Sequence, residues 1–230
     1  MRDAWPVELI AVRHGESVVN VAFPAADAAG LEDAGVSGSD AEVPLTEAGQ
    51  IQAKDLGTWL GSRSPRPDVV LTSPYLRARQ TTEIALDGLR QLTGRTPEVR
   101  VDERLRDREL GVLEMQTATA IRRHFPDEAA RRRKVGDFLY RPAGGESFAD
   151  VALRLRSLLR DICDDHAGRR VLIIGHDAIV LLLRYVIEGI GYADVLGLGP
   201  VWNCSVTRWI AGDAGARLVE FNAVHHLSPR

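Results

Sequence analysis

Four short stretches of this 230-residue chain carry side chains suited to a doubly charged anion. Arg13-His14-Gly15-Glu16 follows the apolar run Glu8-Leu9-Ile10-Ala11-Val12. Ser73-Pro74 follows Asp68-Val69-Val70-Leu71-Thr72, with Arg77 one turn further on. Gly175-His176-Asp177 follows Val171-Leu172-Ile173-Ile174, and Arg106-Asp107-Arg108-Glu109 follows residues 99–105. Brought together, these ends supply two imidazoles, several guanidiniums and a carboxylate. Guanidinium forks match phosphoryl oxygens in geometry and charge. A neutral imidazole, here His14, can attack phosphorus and form a phosphohistidine. Arg13, Arg77 and His176 would balance charge on the equatorial oxygens. A carboxylic acid must protonate the leaving alkoxide and, once ionised, can activate water. Asp107 is the candidate for that acid/base role, with Glu109 as its rival. The scheme needs no metal and no cofactor, and the sequence offers no metal cage.

Each assignment competes with a plainer one. His14 and His176 could be ordinary core or turn histidines, but their shared position after buried runs argues for function. Arg77 could be a solvated helix arginine, with Arg79 as the alternative anion binder. Asp107 could serve only as a salt-bridge partner for Arg104, Arg106 or Arg108. Asn20 could be a turn residue. His225-His226 lacks a third ligand nearby and reads as a pair of polar histidines at the surface of the tail rather than a metal site. His124 and His166 lie in polar helical stretches and read as solvated, as does the basic run Arg131-Arg132-Arg133-Lys134. Cys163 and Trp59 read as packing residues.

The apolar runs preceding these stretches are rich in β-formers and bounded by turn residues, so they predict buried strands. Helices are predicted between them. One begins at Thr46, a plausible cap, with Ile51, Leu56, Trp59 and Leu60 at helical spacing. A second runs through Arg77, Ile84, Leu89 and Leu92 and stops at Gly94. A third covers about residues 148–165, with Val151, Leu155, Leu158, Leu159 and Ile162 on one face, and a fourth covers 179–187. Residues 205–210 and 217–223 read as two further strands. The alternation predicts a three-layer α/β/α sandwich around a mostly parallel sheet. In such sheets ligands bind beyond the carboxyl ends of the strands, where the four stretches lie. Two segments interrupt the pattern. Residues 21–43 lack periodicity and read as a long loop, and residues 115–140 read as a helical excursion over the sheet edge. No repeat or linker divides the chain, so one domain over 1–230 is expected.

Arg13-His14-Gly15-Glu16-Ser17 with Asn20 resembles the signature of the histidine phosphatase superfamily, which includes cofactor-dependent phosphoglycerate mutases and fructose-2,6-bisphosphatases. Pro44-Leu45-Thr46-Glu47-Ala48-Gly49 with Gln52-Ala53 resembles that family's first helix start. Ser73-Pro74 followed by Arg77-Ala78-Arg79-Gln80-Thr81, then Gly144-Gly145-Glu146-Ser147, then His176, resemble further segments in the same order. The similarity runs from residue 7 to about 190. It implies a phosphoglycerate mutase-like fold, His14 as the phosphorylated nucleophile, Arg13, Arg77 and His176 as the phosphate pocket, and Asn20 as an added hydrogen-bonding group. The acid/base position falls on Asp107, where many relatives have Glu. Asp177 follows His176 where relatives commonly carry small or amide residues.

Composition excludes several other classes. With 29 Lys+Arg against 32 Asp+Glu the net charge is −3, which lacks the basic excess of a nucleic-acid binder. No apolar run approaches the ~18 residues of a membrane span, and no secretory signal is evident at the start. Two cysteines give neither zinc spacing nor a disulfide framework, which fits the cytoplasm. The expected activity is hydrolysis of small phosphomonoesters. A mutase sharing the same phosphohistidine is the alternative, with Arg122 and Arg123 available for a substrate carboxylate. A phosphate-binding module with little catalysis is the third reading. Monomer and homodimer both remain open.

Overall fold

The computed structural model describes residues 5–213 and 215–228. The order of elements is β1 (Glu8–Arg13), α1 (Val18–Ala28), α2 (Glu47–Ser62), β2 (Val69–Thr72), α3 (Leu76–Thr93), β3 (Glu98–Val101), α4 (Ala118–His124), α5 (Pro126–Val135), α6 (Phe148–His166), β4 (Arg170–Gly175), α7 (Asp177–Glu188), β5 (Val206–Gly212) and β6 (Gly215–Ala223). The strands form one sheet in the order β3-β2-β4-β1-β5-β6. The first four in that order run parallel, and β5 and β6 add an antiparallel hairpin.

Side chains alternate across a strand, and the apolar runs supply both faces. Leu9, Ala11, Val69, Leu71, Val171 and Ile173 pack against α6 and α7. Ile10, Val12, Val70, Leu172 and Ile174 pack against α2 and α3. The expected three-layer α/β/α sandwich with a mostly parallel sheet is therefore present. The face predicted for α6, from Val151 to Ile162, is buried at every named position. Gly94 ends α3 in the left-handed conformation at φ 68°.

Several expectations need correction. Residues 21–43 are not wholly loop, because α1 occupies Val18–Ala28. Its capping group hides in the preceding motif: the N–H and hydroxyl of Ser17 both donate to Oδ1 of Asn20. Pro24 and a weak apolar stripe concealed the helix from periodicity. The third strand stops at Val101, and Glu103–Leu105 forms a 3-10 turn. Ile51 faces solvent at 54% exposure. Trp59 is only half-buried and stacks near His226, 5.5 Å between ring centroids. His226 reaches back to the Cys204 carbonyl. His166 is buried rather than solvated, whereas His124 is exposed and pairs with Glu32. Cys163 packs in the core as expected.

Residues 115–140 contain helices α4 and α5, with the basic run of α5 facing solvent. This excursion fastens onto the other one. Thr117 Oγ1 contacts the carbonyls of Leu31 and Glu32, Ala118 N–H donates to Asp27, and Arg123 pairs with Glu32. Among the described residues no helix is long and apolar enough to cross a membrane.

Candidate active site

The parallel ladder continues one residue beyond the strands and aligns their ends. His14 N–H donates to the Gly175 carbonyl at 2.8 Å, and Ser73 N–H donates to the Ile174 carbonyl at 2.9 Å. His14, Ser73 and His176 therefore lie side by side at the carboxyl edge of the sheet. The two imidazole centroids are 5.2 Å apart. His14 and Arg77 are each 2% exposed, and His176 is fully buried.

His14 is held by both ring nitrogens. The Gly15 carbonyl lies 2.6 Å from Nδ1, which assigns the proton to Nδ1 and leaves a lone pair on Nε2. Arg77 Nε donates to that Nε2 at 3.1 Å. Burial first, then the charges of Arg77, His176 and Arg13, push the His14 pKa well below the ordinary histidine value. The ring is therefore neutral at physiological pH, as a nucleophile must be.

The loop carrying His14 is fixed by the Pro44–Ala53 motif. Thr46 caps α2 by accepting from Gly49 N–H and donates to Oε1 of Glu16 at 2.8 Å. Gln52 accepts from Glu16 N–H, and Thr81 of α3 accepts from Gly15 N–H. Gly15 and Gly49 touch backbone to backbone. A Cβ on Gly49 would lie 2.0 Å from the Glu16 carbonyl oxygen.

Asp107 reaches the same centre. Its Oδ2 lies 3.1 Å from Nη2 of Arg77 and 3.1 Å from Nδ1 of His176. Burial opposes ionisation, but His176 and Arg77 outweigh it and hold the carboxyl far below the usual range. Glu109 instead pairs with Arg106. Asp177, the first residue of α7, turns back to accept from Ala178 N–H, and the carboxylate paired with His176 is Asp107. Arg79 is exposed while Arg77 points inward. Arg13 Nη1 donates to the Val201 carbonyl at 2.5 Å, and its buried Nε has no partner in the protein. Asn20 Oδ1 is occupied by Ser17 and by Asn203, whose amide also donates to the His14 carbonyl.

Five contributors escaped the sequence reading. Ser73 binds His176 Nε2 at 2.8 Å, and it lay within a recognised motif. Asn203 comes from the tail and carried no signal. Glu146 and Arg154 form a half-buried pair, and Arg154 donates to the main-chain oxygens of Arg104 and Asp107. Asp40, from the excursion, grips Arg77 through both carboxylate oxygens. Beside Tyr75 a hollow of about 220 Å³ opens toward the excursions. Among the described residues no group of three His, Cys, Asp or Glu is placed to hold a metal ion.

A phosphoglycerate mutase-like α/β sheet with a neutral histidine, two arginines, a second histidine and a carboxylate at its carboxyl edge defines a class of phosphoryl-handling enzymes. The chain belongs to the histidine phosphatase superfamily (branch 1), whose family model matches residues 9–224. It is similar to the glucosyl-3-phosphoglycerate phosphatase of Mycobacterium tuberculosis, at 29% identity over 208 residues, 87% of this chain and 83% of that protein. It is likewise 29% identical over 213 residues to a probable phosphoglycerate mutase, GpmB, of Yersinia enterocolitica, covering 88% and 84% of the two chains. The solved structure of Bacillus stearothermophilus YhfR superposes with a TM-score of 0.78 at 28% identity, over 96% of this chain and 99% of that one.

Proposed function

We propose that this protein is a metal-independent phosphatase that hydrolyses small phosphomonoesters through a phosphohistidine on His14. One observation carries the reading: the Nε2 lone pair of His14 is held free of a proton among Arg77, His176 and Asp107. The substrate's phosphoryl group binds Arg13, Arg77, His176 and the amide nitrogen of Asn20. His14 Nε2 attacks phosphorus as the bond to the leaving oxygen breaks, and Asp107 delivers a proton to that oxygen. A phosphoryl dianion beside Asp107 opposes its charge and favours proton uptake before this step. Asp107 then takes a proton from water as the water attacks phosphohistidine, which releases phosphate and restores neutral His14.

The whole chain works as one histidine phosphatase domain, since the family match spans nearly all of it and one sheet underlies the site. Two buried free thiols, Cys163 and Cys204, suit a cytoplasmic protein. Hydrolysis is favoured over mutase chemistry because the arginines expected to hold a substrate carboxylate are engaged elsewhere. Arg122 donates to Thr119, and Arg123 pairs with Glu32 at the surface.

The test is rapid quenching with a phosphorus-labelled ester. A label that is stable to base, labile to acid and absent in His14→Ala supports the reading. Turnover by His14→Ala, or loss of activity with a chelator, overturns it. Following 3-phosphoglycerate isomerisation alongside phosphate release separates phosphatase from mutase.

A further inference from the structure

All five N–H groups of Arg77 have partners within the protein. Nε donates to His14, Nη1 to the main-chain oxygen and Oδ1 of Asp40, and Nη2 to Oδ2 of Asp40 and Oδ2 of Asp107. A guanidinium has five donors and no more. Phosphoryl oxygens can therefore reach the Arg77 fork only by displacing a resident group. Asp40 is the group placed to leave. Its side chain is 25% exposed and sits in a 3-10 turn reached through residues 32–39, which lack regular secondary structure. Its own N–H rests on Glu114 Oε1 at 3.2 Å.

Asp40 also lines the hollow beside Tyr75, where the substrate's alcohol must lie if the phosphoryl group sits on Arg77. Phe23 and Met115 give that hollow apolar walls, and Glu109 and Glu114 add two carboxylates. Arg108 is the one cation among the lining residues. Its guanidinium donates to the carbonyls of Glu146 and Tyr140 and covers the Phe148 ring, 4.3 Å from its centroid.

We propose that Asp40 is a specificity-determining residue of the phosphoryl site: its carboxylate stands in for phosphoryl oxygens on Arg77 in the free enzyme, and its charge at the mouth of the hollow selects phosphomonoesters whose alcohol carries no further negative charge. The proposal rests on the phosphatase reading above. A phosphoryl dianion outcompetes a carboxylate monoanion at a guanidinium because its charge is larger. The displaced carboxylate stays tied to the same short turn and remains close to the hollow. An alcohol bearing a carboxylate would meet Asp40 and Glu114, with Glu109 already balanced by Arg106 and no unengaged guanidinium among the lining residues to offset them. An uncharged polyol or an amino alcohol meets no such repulsion.

The matched pair glycerol 3-phosphate and 3-phosphoglycerate differs at one carbon, a hydroxymethyl against a carboxylate. The wild-type protein is expected to favour glycerol 3-phosphate through KM. Asp40→Asn should bind inorganic phosphate about tenfold more tightly by calorimetry, because the competing charge is gone. The same variant should narrow the preference between the two esters, and Asp40→Glu should restore both properties. Unchanged or weaker phosphate binding in a folded Asp40→Asn protein overturns the proposal, as does a wild-type preference for 3-phosphoglycerate. Calorimetry requires no turnover. Failure of His14 to become phosphorylated would therefore sink the phosphatase reading, while the place of Asp40 on Arg77 is decided separately.

Discussion

Arg77 Nε–H points at the lone pair of His14 Nε2 from 3.1 Å. A cation donating to an imidazole nitrogen stabilises the neutral ring and opposes its protonation. Together with burial it keeps the ring unprotonated, with the Nε2 lone pair directed at Arg77.

This relationship predicts the titration of His14. Burial is the largest cause of its depressed pKa and Arg77 the next, both acting in the same direction. The ring should stay neutral at a pH where an ordinary histidine is mostly protonated. Arg77→Gln removes one cause and leaves the other, so the pKa should rise but stay depressed. Proton–nitrogen correlation spectra of the imidazole across pH 4–8 would read this, and an unmoved His14 signal in Arg77→Gln would contradict it. Turnover by the same variant should fall by roughly 10²-fold or more, since the transition state loses a charged donor.

Asp107 should matter in proportion to how much the leaving group needs a proton. Asp107→Asn is expected to cost roughly 10²–10⁴-fold on alkyl phosphates. The cost on p-nitrophenyl phosphate should be far smaller, because nitrophenolate leaves without help. Equal losses on both substrates would remove Asp107 from the acid role and bring Glu109 back into contention.

Arg154 tests how Asp107 is held. Its guanidinium donates to the Asp107 carbonyl at 3.0 Å while pairing with Glu146. Truncation to Ala leaves two main-chain carbonyls without their donor and half-buried Glu146 with Arg106 as its remaining cation, which should cost about 1–3 kcal/mol in chemical denaturation. If Arg154 positions the acid, the alkyl-to-aryl activity ratio should fall in the same direction as for Asp107→Asn, but less far. A purely structural role would lower stability and leave that ratio alone.

Gly49→Ala probes the contact between α2 and the histidine loop. The added methyl would sit 2.0 Å from the Glu16 carbonyl oxygen, and backbone must shift to admit it. Destabilisation of about 2–3 kcal/mol is expected, with loss of activity from a displaced His14. Gly94→Ala, where a methyl meets open space but φ is 68°, should cost less and spare activity.

Local chemistry made much of the chain legible. Apolar runs of β-formers marked β1, β2 and β4, because strands buried on both faces need apolar residues at successive positions. Histidines and arginines immediately beyond those runs marked the site, because a parallel sheet gathers its strand ends along one edge. Helix α1 was not legible, since Pro24 and a weak apolar stripe gave no period to read. The burial of His166 and the exposure of Ile51 depend on which neighbours arrive from elsewhere in the chain.

The sequence by itself determined the sandwich, the loop carrying His14 and its motif partners, because strand burial, capping and turn chemistry act over a few residues. Only the tertiary structure set Asp107 rather than Glu109 beside His176, turned Arg77 rather than Arg79 inward, and brought Asp40 and Asn203 to the same place. Those choices turn on distances of about 3 Å between residues as far apart as Asn203 and His14, 189 positions along the chain. Separations of that kind are set by how layers pack, and no local pattern encodes them.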